Sequence, residues 1–195
     1  EGGKTAKIVK KLGEGGQGIV YKVDWRGGNY ALKWYFKVDK NADTFYKNLK
    51  QNVEKGSPAP TFLWPLAVTE KDSNGCFGYV MALRPKEYKD FSLLILNRVK
   101  FSGFRAVVNS ALLMTVSFKL LHNRGMSYQD LNDGNFFINP ANGDILICDN
   151  DNVAPDGENL GIQGKPGYMA PEVVSFKYKP DAFSDRFSLA VILFM

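Results

Sequence analysis

The chain has 195 residues, of which 45% are hydrophobic and 23% charged, as in a soluble globular protein and unlike a disordered one. Its 25 basic and 20 acidic residues give a net charge of +5, spread along the chain without a basic block, so nucleic acid is not an expected partner. We interpret the single histidine, His122, as structural, and expect neither zinc nor Ser-His-Asp chemistry.

The cysteines and the chain ends add three expectations. Cys76 and Cys148 are too few for a disulfide framework and favour a reducing, cytoplasmic setting. No signal peptide opens the chain and no apolar run reaches the length of a membrane span, so no membrane partner is expected. The chain starts at Glu1 and stops inside the uncapped apolar run Leu189–Met195, so we expect a fragment. These features leave the oligomeric state open.

The first predicted elements are two strands joined by a glycine-rich loop. Charged and apolar residues alternate over residues 6–12, and β-branched and aromatic residues fill residues 19–25, on either side of Gly13-Glu-Gly-Gly-Gln-Gly18. A dinucleotide-binding loop would open a helix, and a Walker loop would end in Gly-Lys-Ser or Gly-Lys-Thr. We therefore expect either a flexible flap over the phosphates of a nucleotide or a plain glycine hairpin.

A third strand, a helix and a further strand pair follow. Lys33 lies among apolar and aromatic residues of the predicted strand 30–36, where an ammonium group is costly without partners. Residues 42–55 predict a helix, and residues 62–69 and 77–83 predict two paired strands.

The clearest predicted helix spans residues 103–124, with Gly125 as its stop. Its apolar residues recur at three- and four-residue steps: Phe104, Val107, Val108, Ala111, Leu112, Phe118 and Leu121.

A predicted hairpin then carries three polar residues to one place. Two apolar runs, Phe136–Ile138 and Ile145–Ile147, flank an Asn-Pro-Ala-Asn-Gly-Asp turn. Folding them together brings Asp149 beside Asn135 and Asp130, whose oxygen atoms suit Mg²⁺, although such residues are also ordinary in turns. An EF-hand calcium loop is excluded because valine and alanine stand where a ligand and a glycine are needed.

Taken together, these features resemble those of protein kinases. The glycine loop, Ala-x-Lys ending at Lys33, Asp130-x-x-x-x-Asn135 and the strand-borne Asp149 follow the order of that family. The stretch Gly164-Lys-Pro-Gly-Tyr-Met-Ala-Pro-Glu172 matches the end of its activation segment. In the helix that starts at residue 183, Asp185 would brace the catalytic loop.

The resemblance covers nearly the whole chain and implies its architecture. The fold class would be α+β, with the two lobes of a bilobal protein-kinase-like fold. Residues 1–83 would form the N-lobe, an antiparallel five-stranded sheet plus one helix. Residues 84–195 would form an incomplete, mainly helical C-lobe.

The resemblance also implies ATP and Mg²⁺ as cofactors. Lys33 would hold the α- and β-phosphates and pair with Glu54, the only glutamate between Lys33 and Glu70. Asn135 and Asp149 would hold Mg²⁺, and Asp130 would take the proton of the acceptor hydroxyl. The predicted ATP contacts, with Met81 as gatekeeper, are Leu12, Gly13, Gly15, Gly18, Val20, Ala31, Lys33, Met81, Leu83 and Phe137.

Several positions depart from the family. The family's His-Arg-Asp motif is replaced by Tyr128-Gln129-Asp130, so the arginine that in the family binds the phosphate of a phosphorylated activation loop is missing. Residues 150–171 contain no Ser or Thr, and we predict that phosphorylation of this loop is not the switch. Asn132 replaces the lysine that steadies the transferred phosphoryl group, and we predict that Lys165 supplies the missing cation. Asp-Phe-Gly reads Asp149-Asn150-Asp151.

The predicted activity is transfer of a phosphoryl group from ATP to a hydroxyl of a protein substrate. Ser or Thr is the expected acceptor, because Ala170-Pro-Glu172 is typical of protein kinases, while Asn132 leaves Tyr open. The departures resemble eukaryotic-like kinases of bacteria. The alternative is a pseudokinase, a nucleotide-binding or scaffolding module without transfer, which Gln129, Asn132 and Asn150 favour and the intact lysine and carboxylates oppose.

Overall fold

The computed structural model describes residues 5–36, 42–159, 161 and 164–195. The chain divides into two compact units. The first comprises the residues up to Ser57 together with Leu63–Arg84, and the second comprises Pro58–Phe62 together with Pro85–Met195.

In its described residues, the first unit is an antiparallel five-stranded sheet with one helix, which confirms the predicted fold class for this part of the chain. The strands follow the order β1-β2-β3-β5-β4. A two-residue turn joins β2 to β3 at Arg26 and Gly27, whose positive φ angles of 54° and 76° match the twist of the strands. The elements are β1 (Lys7–Glu14), β2 (Gly18–Trp25), β3 (Gly28–Tyr35), α1 (Ala42–Lys55), β4 (Ala67–Val68) and β5 (Gly78–Ala82).

One predicted strand is much shorter than expected. Residues 62–69 were predicted as a strand, yet only Ala67–Val68 pairs with β5. Pro65 has no N–H to donate and biases the residue before it, which limits the pairing. Phe62 instead bridges to Ile147 within the second unit.

Aromatic rings hold α1 to one face of the sheet. Tyr35 on β3 packs edge-on against Phe45 of α1, with 5.2 Å between ring centroids, and Phe77 packs against Tyr46 at 4.9 Å. On the opposite face Val23 and Val80 lie in a separate apolar cluster. The alternation of side chains along β-strands therefore divides the core of this unit between two faces.

Within the described residues, the second unit contains four α-helices and short strands, which fits the predicted mainly helical C-lobe. A capping box at Asp181 and Ser184 starts its last helix. The elements are β6 (Lys89–Asp90), α2 (Phe91–Ile95), α3 (Phe104–Asn123), β7 (Met126–Ser127), β8 (Phe136–Ile138), β9 (Ile145–Ile147), β10 (Ala154–Pro155), α4 (Pro171–Val174) and α5 (Ala182–Phe194).

Helix α3 forms where predicted, but only part of the predicted apolar stripe is buried. Met114, Phe118 and Leu121 are buried, whereas Phe104 is 81% exposed and Leu112 57% exposed. Ser110 and Ser117 also lie on the buried face, and a search for apolar periodicity does not count serine. The Phe118 ring packs within 6.2 Å of the rings of the core residues Phe62, Tyr128 and Phe136.

Helix α3 also corrects the expectation that no apolar run is long enough to cross a membrane. Among the described residues, it is the one helix whose length and composition would allow a span, with 33% of the apolar window buried. Its buried residues include Met114, Phe118 and Leu121.

Candidate active site

The glycine loop joins two antiparallel strands, as predicted, and a helix-opening dinucleotide loop is not present at this position. The N–H of Gly15 donates to the carbonyl of Gly18 at 2.9 Å. A Cβ atom on Gly18 would lie 2.2 Å from the carbonyl oxygen of Trp34, so only glycine fits there. Gly13 and Gly15 face open space, where a ligand could approach the backbone.

Several predicted ATP-contacting residues share one face of the sheet. Val20 lies opposite Lys33, and Ala31 lies opposite Met81. Because side chains two residues apart on a strand point to the same side, these residues form one patch. The Lys33 Nζ lies 5.6 Å from the centroid of the Tyr35 ring. Leu12 on β1 is exposed, Leu83 directly follows β5, and Phe137 lies half-buried in β8 of the second unit.

Glu54 is exposed in the last turn of α1. The buried face of that helix instead carries two polar residues, Asn48 and Asn52, together with Leu49. The pairing of Glu54 with Lys33 stays a prediction, and its exposure does not favour it. Sequence patterns missed the two asparagines because a polar residue in an amphipathic helix normally indicates the solvent side.

In the second unit, Asn132 holds the carboxylate of Asp130. The Asn132 Nδ2 donates to Asp130 Oδ1 at 3.2 Å and to the Asp130 carbonyl at 3.1 Å. Its Oδ1 accepts from the N–H of Gly134 at 3.0 Å, which fixes the orientation of the amide. Burial raises the pKa of Asp130, the Asn132 bond opposes this shift, and the charges of Asp149 and Asp151 add to it.

The hairpin forms between the two predicted runs and brings Asn135 next to the start of the segment that carries Asp149. Phe136 pairs with Ile147, and the N–H of Cys148 donates to the carbonyl of Asn135 at 2.9 Å. Asp149 adopts a left-handed backbone conformation, with φ 51° and ψ 39°. Such a conformation is uncommon for a residue other than glycine, and Asp is among the residues that tolerate it. Strain of this kind is concentrated at functional sites.

Asp185 braces the loop from below, as predicted. Its carboxylate accepts from the backbone N–H of Tyr128 at 2.6 Å and of Gln129 at 2.9 Å. His122 Nε2 lies 3.0 Å from the same carboxylate, which agrees with its structural interpretation. Gln129 itself has a positive φ of 74°, so these bonds stabilise a strained loop backbone.

Tyr128 connects the two halves of the hairpin, a contact that sequence reasoning missed. Its fully buried hydroxyl donates to the carbonyl of Cys148 and accepts a bond from Asn135 Nδ2 at 2.8 Å. Burial raises the pKa of Tyr128 well above its usual value, so this hydroxyl keeps its proton. The replacement of histidine by tyrosine was the only signal in the sequence.

Lys165 lies beside the same loop but is bound to Asp133. Its ammonium forms an ion pair with the Asp133 carboxylate and lies 5.2 Å from the centroid of the Tyr168 ring. Burial alone would raise the pKa of Asp133, but hydrogen bonds from Lys165 and Tyr168 leave it lowered. Burial and the bond to Asp133 raise the pKa of Tyr168 to about 12. The backbone of Lys165 also hydrogen-bonds to Asp130.

The oxygen donors of this loop fit Mg²⁺. Asp149 and Asn135 offer a carboxylate and an amide oxygen, which a hard cation prefers. The charges of Asp149 and Asp151 contribute to the raised pKa of Asp130, and a divalent cation would offset this repulsion. Across the described ranges, no group of three or more His, Cys, Asp or Glu residues forms a complete ligand cage. Mg²⁺ does not need one, because it usually keeps water and phosphate ligands.

Comparison with known proteins agrees with this geometry. A family model described as the protein kinase domain matches residues 6–195. A search of curated proteins found no match. The matched range includes the glycine loop, the hairpin with Asp149 and the helix that carries Asp185. The chain therefore belongs to the protein kinase family.

Proposed function

We propose that this protein transfers the γ-phosphoryl group of Mg·ATP to a Ser or Thr hydroxyl of a protein substrate. The observation that carries the proposal is the held carboxylate of Asp130, oriented by Asn132 in the loop that leads to Asn135. In phosphoryl transfer the protein mainly positions the reactants and stabilises charge, and Asp130, Asn132 and Asn135 are polar groups that can do both.

Residues of the first unit would bind the nucleotide. Lys33 would contact the α- and β-phosphates, and the backbone of Gly13, Gly15 and Gly18 would approach them from the glycine loop. The apolar side chains of Leu12, Val20, Ala31, Met81 and Leu83 would contact the adenine. Glu54 would hold Lys33.

Residues of the second unit would carry the chemistry. Asn135 and Asp149 would hold Mg²⁺, which when bound neutralises charge on the phosphates. Asp130 would orient the acceptor hydroxyl and accept its proton, a contribution of roughly 10²–10⁴-fold in rate. Asn132 keeps the Asp130 carboxylate in one orientation but brings no positive charge.

Lys165 would supply the cation that Asn132 lacks. The ion pair with Asp133 partly neutralises the charge of Lys165. To act in transfer, the Lys165 ammonium must therefore reach the phosphoryl group while it is bound to Asp133. Lys165→Ala tests this directly. We expect a lower kcat with little change in the KM for ATP, and an unchanged kcat would contradict the role.

The test of the function is transfer of labelled phosphate from Mg·ATP to the protein itself and to a generic protein acceptor. Asp130→Asn should lower transfer by about 100-fold or more. Asp24→Asn, which alters an exposed carboxylate of β2, is the matched control and should transfer normally. Phosphoamino-acid analysis would identify the acceptor residue.

Two results would contradict the proposal. Binding of Mg·ATP without any transfer would favour the pseudokinase, for which the polar Asn150 and the neutral Asn132 are the specific observations. Transfer that survives Asp130→Asn would assign the proton transfer to another group.

A further inference from the structure

We propose that Tyr128 is a positioning residue that fixes which atom of Asn135 faces the metal. The proposal rests on the proposed function, because it concerns the Mg²⁺ site formed by Asn135 and Asp149. It assigns to the Tyr128 hydroxyl the task of directing the amide oxygen of Asn135 toward the cation.

The donor and acceptor capacity of the three groups dictates the orientation. The carbonyl of Cys148 can only accept, so the single proton of the Tyr128 hydroxyl goes to it. The Tyr128 oxygen can then only accept from Asn135, and the Asn135 amide must present its N–H to it. Because the amide oxygen and nitrogen lie on opposite sides of the side chain, Oδ1 is directed away from Tyr128. A metal ion needs that oxygen and is repelled by the amide hydrogens.

The same hydroxyl also acts on the second ligand. The carbonyl of Cys148 belongs to the peptide that joins Cys148 to Asp149, and Asp149 has the left-handed backbone described above. On its other side, the N–H of Cys148 donates to the carbonyl of Asn135. Tyr128 thus ties the peptide before Asp149 to the side chain of Asn135.

Tyr128 is well placed to hold such an orientation. Its ring is fully buried and packs edge-on against Phe118, with 5.7 Å between centroids. Its backbone N–H is bound by Asp185 at 2.6 Å. Packing and hydrogen bonds of this kind hold functional groups to the tolerance that metal binding needs.

The first experiment replaces Tyr128→Phe, which keeps the ring and removes the hydroxyl. Mn²⁺ binding in the presence of a non-hydrolysable ATP analogue would be measured by electron paramagnetic resonance. We expect the dissociation constant for Mn²⁺ to rise by about 10-fold, the lower end of the effect of altering a group that orients a metal ligand. Binding of the metal-free nucleotide in EDTA should not change. Tyr178→Phe, at an exposed tyrosine of the same unit, is the matched control.

A double-mutant cycle separates orientation from packing. In Asn135→Asp the carboxylate has an oxygen on both sides, so its orientation no longer matters for the metal. Adding Tyr128→Phe to this variant should then change the Mn²⁺ dissociation constant by less than about 2-fold. A full 10-fold loss in both backgrounds would overturn the proposal, since Tyr128 would then act only through packing.

The outcomes also separate this inference from the proposed function. Unchanged Mn²⁺ binding in Tyr128→Phe overturns the inference and leaves the kinase activity standing. A protein that shows the predicted loss of Mn²⁺ affinity but transfers no phosphate supports the role of Tyr128 and contradicts the proposed function.

Discussion

Asp185 offers the sharpest stability test, because one carboxylate satisfies two buried backbone donors. Asp185→Ala would leave the N–H groups of Tyr128 and Gln129 without their acceptor in a buried loop. Each unsatisfied buried donor costs about 1–3 kcal/mol, so the change should cost about 2–6 kcal/mol. A domain has only about 5–15 kcal/mol of stability in total, so this is a large loss. Asp185→Asn retains one acceptor oxygen and should lose about half as much.

The measurement is urea unfolding of the whole protein, and far-UV circular dichroism records the loss of helical structure. With a slope of about 2 kcal/mol per molar urea, Asp185→Ala should lower the midpoint by about 1–3 M. The three tryptophans, Trp25, Trp34 and Trp64, all lie in the first unit, so their fluorescence reports on that unit separately. Asp24→Asn serves as the control. If the midpoint of Asp185→Ala stays within about 0.3 M of the unaltered protein, the reasoning from unsatisfied donors is refuted.

Three further predictions follow from single contacts. Gly18→Ala should lower the unfolding temperature measured by tryptophan fluorescence, because the added Cβ would lie 2.2 Å from the Trp34 carbonyl oxygen. Gly15→Ala is the control and should not lower it, because Gly15 faces open space. Equal unfolding temperatures for the two variants would contradict this reasoning. Asp133→Asn should reduce stability by up to about 1 kcal/mol at neutral pH. This difference should shrink as the pH falls below about 4 and vanish once the pH is below the lowered pKa of Asp133 in the folded protein. The sign follows because the pKa of Asp133 is lowered in the folded protein, so its stabilisation exists above the unfolded pKa and is lost in acid; a constant difference across pH would be inconsistent. Mass spectrometry of active protein should find Tyr168 without a phosphate, because its side chain is buried. A phosphate on Tyr168 that is required for activity would overturn this prediction.

The sequence predicted the local features well because they depend on local signals. The hairpin around the Asn-Pro-Ala-Asn-Gly-Asp turn has its strands where the apolar runs placed them, and α1 begins and ends at the predicted residues. Turn residues and periodicity act over a few positions, so a single sequence contains them. The short β4 shows the limit of this reasoning, since Pro65 interrupts a run that is otherwise strand-like.

The features that the sequence did not predict depend on contacts between distant residues. Tyr128 and Cys148 are 20 residues apart, and no local pattern links them. The contact of Asp185 with the loop spans 57 residues, and it was predicted only because the chain resembles protein kinases. Asn48 and Asn52 were missed for a related reason. A buried polar residue looks like a surface residue until its packing is known.

The departures from the family share one physical consequence. At three positions a neutral amide stands where the family has another kind of side chain: Gln129 and Asn132 each replace a cation, and Asn150 replaces an aromatic ring. Each amide donates a hydrogen bond to a neighbour within the second unit. Gln129 donates to the Glu158 carbonyl, Asn132 to Asp130, and Asn150 to the Ile147 carbonyl at 2.9 Å. A neutral amide needs no phosphate to balance it, so these bonds can hold the loop without a modification.

That arrangement has a cost in stability. Within the described ranges, Gln129 Oε1 and Asn150 Oδ1 are buried without a hydrogen-bond donor. An unsatisfied buried acceptor costs about 1–3 kcal/mol. The two atoms together therefore lower the free energy of unfolding by a large part of the about 5–15 kcal/mol that a domain has in total. Gln129 directly precedes Asp130 and Asn150 directly follows Asp149, so this cost falls on the two segments of the candidate site.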